Sequence, residues 1–371
     1  MAYTTINKPN LHFNTVTYSG NNTANRSITG VNFQPDFVWI KGRSGTYGAG
    51  YNHFLWDSVR GVGKQFYTSD NLAEATNLNN LYSFNNDGFS LGQSSPDAVT
   101  NGNSTEFVAW NWKANGSTVS NTQGSITSTV SSNSTNGFSI FTYTGTGAST
   151  TTVGHGCSSE PKFVIIKNRS NASGWITYHY GAGATGLYNP NQASLILNGT
   201  NASANPASGG YLSDGYFSNV NSTTLTLRDV NNANNVNANG NNYVGYAFAD
   251  VKGYSKFGSY VGNGSTDGTF IYTGFKPAFV MAKASSTTGQ WSMCDTKRGV
   301  APSGEFLFAE DSGATNSAPA NWDFVSNGLK ARANYSAHNT SGVTYIYMAF
   351  AENPFVSSKG IPTTARWSGL Y

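Results

Sequence analysis

A chain of 371 residues with 11% charged residues, 14% aromatics and 42 glycines carries too many large rings to stay disordered. It has too few charges for an ordinary soluble surface, so amides and hydroxyls must face water in their place. Its 21 basic and 18 acidic residues nearly cancel without any Lys/Arg run, which argues against a nucleic-acid footprint, and no stretch reads as a signal peptide or as a membrane-inserting span.

Residues 1–12 show no pattern beyond Pro9 and read as an N-terminal arm. A first strand is expected at Phe13-Asn14-Thr15-Val16-Thr17-Tyr18-Ser19, ending in a turn at Gly20. It recurs as Phe138-Ser139-Ile140-Phe141-Thr142-Tyr143 before Gly145, and as Phe257-Gly258-Ser259-Tyr260-Val261 before Gly262. From each of these glycines to the next marker, a proline, is 15, 16 and 15 residues. The prolines, Pro35, Pro161 and Pro277, open runs of large apolar residues that close on Lys41, Lys167 and Lys283, the composition of a central strand. Proline donates no hydrogen bond, so its expected place is where pairing begins.

Second strands follow at residues 54–57, 174–178 and 290–295. Two of them run into Asp-Xaa-Xaa-Arg-Gly, at Asp57, Arg60 and Gly61 and at Asp295, Arg298 and Gly299, whereas the middle copy has Tyr178-His179-Tyr180-Gly181. Asp87-Gly88, Asp214-Gly215 and Asn327-Gly328 between apolar flanks predict hairpins. Each copy closes on an alternating aromatic strand, at residues 107–112, 243–248 and 345–350. A short helix is expected over residues 71–78 with Asp70 as its cap. Residues 114–136 read as a Gly/Ser/Thr/Asn-rich linker holding one extra strand near residues 125–130. Cys157 and Cys294 fall in different copies and read as reduced core residues, as in a protein made in a bacterial cytoplasm.

The expected fold class is therefore all-β: three tandem antiparallel β-sandwich modules of jelly-roll or lectin-like kind. Their bounds are 13–114, 115–252 and 253–352, between the arm 1–12 and a C-terminal tail 353–371.

Several motifs together carry a family resemblance. They are Phe-Gln-Pro-Asp-Phe-Val-Trp-Ile-Lys (33–41), Asp-Ser-Val-Arg-Gly (57–61), Ser-Phe-Asn-Asn-Asp-Gly-Phe-Ser-Leu-Gly (83–92), Phe-Val-Ala-Trp-Asn-Trp-Lys-Ala (107–114) and Met-Ala-Phe-Ala-Glu-Asn-Pro-Phe (348–355). Over residues 6–366 the chain resembles a family of repeat proteins encoded by tailed bacteriophages of aquatic bacteria, similar to concanavalin-like sandwiches and labelled tail fibre or virion structural protein. The resemblance implies a virion location, a homo-oligomer such as a trimer, and contacts with other virion proteins of tail or capsid. It brings no catalytic residues, and it stops short of Trp367-Ser368-Gly369-Leu370-Tyr371.

The chemistry-bearing residues form no recognisable active site. Asp57 with Arg60, and Asp295 with Arg298, read as turn braces rather than as a ligand contact. Glu106, Glu160, Glu305, Glu310 and Glu352 lie at unrelated positions and give no carboxylate pair for glycoside hydrolysis. His12, His53, His155, His179 and His338 show no ligand spacing, so neither a metal nor another cofactor is expected. The one positive hint is an aromatic and amide-rich surface suited to sugars, with Trp39, Tyr47, Tyr51, Trp56, Tyr188 and Trp322 as candidate glycan-stacking rings and ordinary core packing as the competing reading. The expectation is a non-enzymatic tail fibre or spike that attaches to a host surface glycan. The alternatives are a capsid decoration or head-fibre protein and, further off, a polysaccharide depolymerase.

Overall fold

The computed structural model describes residues 3–45, 52–92, 99–182, 194–203, 215–228, 235–298 and 303–363. Strands dominate it, and among the described residues every ladder between these strands is antiparallel, with one isolated parallel bridge between Ile126 and Val153. The alternating sequences explain why: each strand has one face to bury in its own sandwich and another to bury elsewhere.

One strand order recurs in three stretches of chain. In the first it is Phe13–Ser19, Glu106–Trp112, Phe37–Ser44, Phe54–Asp57, Lys64–Tyr67. In the second it is Phe138–Thr144, Asn242–Phe248, Phe163–Asn168, Ile176–His179, Ser194–Ile196, and in the third Ser255–Val261, Thr344–Pro354, Phe275–Ala284, Trp291–Asp295, Ser303–Phe308. We call the first four strands of each order opening, closing, key and second. A smaller sheet backs each of the first two, Arg26–Ile28, Gly88–Leu91 and Leu81–Asn85, then Thr150–Gly154, Thr224–Arg228 and Phe217–Val220; in the third the large sheet itself runs on through Asn316–Val325 and Gly328–Ala331 to Phe270–Tyr272 and folds back as the second layer.

The register also repeats. Phe13, Phe138 and Ser255 pair with Trp112, Phe248 and Phe350. Tyr18, Tyr143 and Tyr260 stack on Phe107, Tyr243 and Tyr345, with centroids 5.1, 5.1 and 5.2 Å apart. Their hydroxyls donate to the carbonyls of Thr100, Val236 and His338 at 2.8, 2.6 and 2.7 Å. A buried phenol needs such an acceptor, and each copy supplies it from the same side.

Each stretch has a core of its own between its two layers of strands. The outer faces of the three large sheets then meet in a further core drawn from all three stretches. At its centre the last rings of the closing strands, Trp112, Phe248 and Phe350, touch pairwise at 6.2, 5.6 and 6.0 Å. The large core therefore belongs to no single stretch.

Several sequence expectations change. Residues 71–78 form no helix: the segment is extended, with a two-residue strand at Ala75–Thr76. The competing force is tertiary, because Glu74 N donates to the Arg169 carbonyl, Ser173 N donates to the Asn71 carbonyl, and the Glu74 carboxylate pairs with Arg60 and Arg169. Pro277 does not start its strand. The ladder runs back past it to Phe275, with a register shift on either side of the proline. The N-terminal arm is docked: Thr4 and Ile6 are buried and Pro9–Leu11 makes a 3₁₀ turn. The linker holds two strands, Val119–Asn121 and Ser128–Asn133. Asp214 lies outside the described residues.

Candidate functional site

Each key strand carries a lysine near its end, and each lysine finds an acceptor in another stretch. Lys41 Nζ donates to the Ser312 carbonyl at 2.9 Å. Lys167 Nζ donates to Asn71 at 3.0 Å and to Ser173 at 2.9 Å, and Lys283 Nζ to Thr200, Asn201 and Ala284 at 3.2, 2.9 and 2.8 Å. The first stretch thus reaches the third, the second reaches the first, and the third reaches the second. Burial lowers these ammonium groups to about 8, 7 and 8.

The second strands link the stretches in the opposite sense, the first reaching the second, the second the third and the third the first. Asp57 holds Arg60 in a wholly buried pair and accepts from Tyr246 Oη at 2.7 Å. Asp295 holds Arg298 at 2.6 Å and accepts from Trp110 Nε1 at 3.0 Å. In the middle copy His179 stands in that register, and its Nε2 lies 3.0 Å from the Tyr347 carbonyl. The closing strand facing it carries Met348 where the others carry Trp110 and Tyr246, so there is no side-chain donor for a carboxylate to meet. The middle copy lacks the Asp and Arg charges for that reason. The pairs are structural braces, as expected.

His179 Nδ1 accepts from Gly181 N at 3.0 Å and His155 Nδ1 from Cys157 N at 3.0 Å, which assigns the Nε2–H tautomer to both neutral rings. Burial pushes both down to about 4, against weaker support from the backbone oxygens of Tyr347 and Asn221. Cys157 and Cys294 are buried free thiols that burial raises to about 12. Among the described residues no cluster of His, Cys, Asp or Glu is arranged to hold a metal ion.

The junction between the third and first stretches holds a cavity of about 540 Å³ lined by residues 13–17, by Thr29, Gly30 and Asn32, and from the third stretch by Ala278, Thr296, Lys297 and Glu352 among others. Ile140 and Phe257 sit fully buried in the shared core at the register where the first opening strand has Thr15. The smaller Thr15 leaves space, and its buried Oγ1 has no hydrogen-bond partner. The cavity offers mainly hydroxyl, amide and backbone groups, with one ammonium, Lys297, and one carboxylate, Glu352, whose charges balance, a setting for a polar chain of no net charge.

Three of the ring candidates are interior. Trp39, Trp56 and Trp322 are 2%, 0% and 1% exposed. Trp39 Nε1 donates to His53 Nδ1, Trp56 stacks on Phe54, and Trp322 packs on His338. Their place is the core, because each sits on a strand face that two sheets cover, and none can stack on a sugar. Tyr47, Tyr51 and Tyr188 lie outside the described residues. The large rings that do face solvent among the described residues are Phe270 and Tyr272, at 48% and 57% exposure, with Ile271 turned inward between them. Sequence reasoning missed them, although the two-residue period of Phe270-Ile271-Tyr272 was the available signal.

These features define an all-β, sandwich-like protein with interlocked sheets. The chain belongs to a family known by a domain of unknown function, DUF7483, whose model matches residues 8–354. None of the curated proteins compared with it matches.

Proposed function

We propose that the chain is an internal triplicate closed into a ring, and that it serves as a non-enzymatic structural protein of a bacteriophage particle that attaches to a glycan on the host surface. The observation that carries the structural reading is the rotation of cross-bonds: Lys41, Lys167 and Lys283, with Asp57, His179 and Asp295, each fasten one stretch to another. Buried ionisable groups so engaged hold architecture and are withdrawn from solvent and substrate. The location on a virion rests on the motif resemblance to tail fibre and virion structural proteins. Glycan recognition is supported by the outward pair Phe270 and Tyr272 beside the amide- and hydroxyl-rich surface.

Antibody labelling of purified virions, together with binding of the purified protein to host cells, tests this reading. Tail labelling with cell binding is the expected result. Labelling confined to the shell without cell binding would replace attachment by capsid decoration, and release of reducing ends from host polysaccharide would overturn the non-enzymatic reading. A threefold position on a particle can be met by one triplicate chain or by a homotrimer of it. Light scattering of the purified protein distinguishes these, with a trimer expected for a fibre.

A further inference from the structure

The three opening strands are equivalent in register, yet their outer edges are treated differently. Along residues 138–142 the edge is occupied by the chain's own strand Ser128–Asn133, with Ser131 opposite Ile140 and Val130 opposite Phe141. The third edge is closed by local groups: Phe257 N donates to Asp250 Oδ1 at 2.8 Å, Tyr180 Oη donates to the Phe257 carbonyl at 3.3 Å, and Val251 bridges to Ser255. The first opening strand ends its sheet, and no described strand lies beside it. Instead, residues 13–17, which match residues 138–142 in register, line the cavity.

A second comparison shows what shape of ligand the cavity takes. Gly156, five residues before Pro161, lies under Val130 of the added strand, so close that a Cβ there would meet Val130 Cγ1 at 2.2 Å. Gly30, five residues before Pro35, is its counterpart and has nothing within 4 Å of the same position. Among the described residues none covers Gly30 as Val130 covers Gly156. Thr15 Oγ1, which would face a residue at the place of Ser131, is the buried hydroxyl without a partner.

We propose that the open edge of residues 13–17 receives an extended, uncharged, Ser/Thr-rich strand of a partner polypeptide, added antiparallel as Ser128–Asn133 is added to Phe138–Thr144. Main-chain pairing supplies the affinity, an apolar residue over Gly30 sets the register, and a hydroxyl opposite Thr15 satisfies its Oγ1. The incoming carbonyl takes the Thr15 N–H that Asn14 Oδ1 now accepts at 3.0 Å. The site names how a structural protein would be held to a neighbour, and it rests on the proposed function only for who that neighbour is.

The test uses the full chain and a labelled synthetic peptide of residues 126–135, Ile-Thr-Ser-Thr-Val-Ser-Ser-Asn-Ser-Thr, followed by fluorescence anisotropy. One saturable site is expected, weakened about tenfold or more by Thr17→Pro, since proline removes an outward N–H at an edge where it does not disturb the ladder to the closing strand. Gly30→Asn, which tolerates the positive φ of 87° there, is the second variant and is expected to weaken binding by filling the space over the glycine. Circular dichroism checks that both variants fold. Absence of saturation at millimolar peptide, or binding that neither variant weakens, would overturn the site. Concentration-dependent dimers of the chain that Thr17→Pro abolishes would overturn the partner in favour of a second copy. Peptide capture is measured on isolated protein, so its failure is separate from a failure of virion labelling.

Discussion

His53, His155, His179 and His338 are all buried and all held below the ordinary histidine range by that burial, His338 to about 3. Below about pH 6.5 the unfolded chain takes up protons that the folded chain refuses, so acid removes stability until the folded values are reached. For His179 alone, a fall from 6.5 to about 4 corresponds to roughly 3 kcal/mol. Glu310, raised to about 7 by burial, and Asp36, raised likewise, act in the opposite direction and are outnumbered. The lysines matter on the alkaline side. Below their lowered folded values both states are protonated and the cost of burying the ammonium is borne in full. As pH rises from about 7 to 9 the folded lysines release protons first and stability increases. Urea midpoints should therefore climb from pH 4.5 to about pH 9, and His179→Asn should flatten the acid part of that curve; a flat profile in the native protein would contradict the buried, neutral histidines.

At the scale of elements, the link between a second strand and the closing strand of another stretch is the testable unit. Asp57→Ala leaves the buried Arg60 with only its longer contact to Glu74, and losing the close carboxylate is expected to cost about 3–5 kcal/mol. Tyr246→Phe removes only the cross-bond to the Asp57 carboxylate and should cost about 1.5–3 kcal/mol. Denaturant unfolding measures both, and equal losses would contradict the separate roles. The short strand Phe270–Tyr272 is the opposite case, with two rings outside and one residue inside. Replacing Phe270 and Tyr272 by alanine should lower binding to host cells while moving the urea midpoint little, because neither ring is part of a core.

For the whole molecule, the shared aromatic core implies one cooperative unit. Trp112 touches Phe13, Phe37, Phe248, Phe279 and Phe350, rings from all three stretches. Its replacement by alanine is expected to cost about 3–5 kcal/mol and to shift one calorimetric transition as a whole. Three transitions, with only one moved, would show that the stretches fold independently. A fragment of residues 1–114 alone should fail to fold, since the outer face of its large sheet would be left in water; exchange-protected amides in that fragment would refute this.

Strand identity, hairpin turns and the recurring spacing were legible from residues, because two-residue alternation and turn chemistry act over short distances. The same local reasoning misplaced a helix at residues 71–78, where ion pairs to Arg60 and Arg169 overrode propensity. It also put Trp39, Trp56 and Trp322 at a surface that does not exist for them, because a strand's second face looks polar-facing or buried only once its neighbour is known. What the sequence by itself determined is the all-β class and the recurring spacing of its strands. Only the tertiary structure decided that lysines and carboxylates at equivalent places link one stretch to another around Trp112, Phe248 and Phe350, and that no described strand lies along the outer edge of the first opening strand. Those contacts join residues up to 271 positions apart, as Lys41 and Ser312 are, and no local pattern encodes which distant carbonyl a buried ammonium will find.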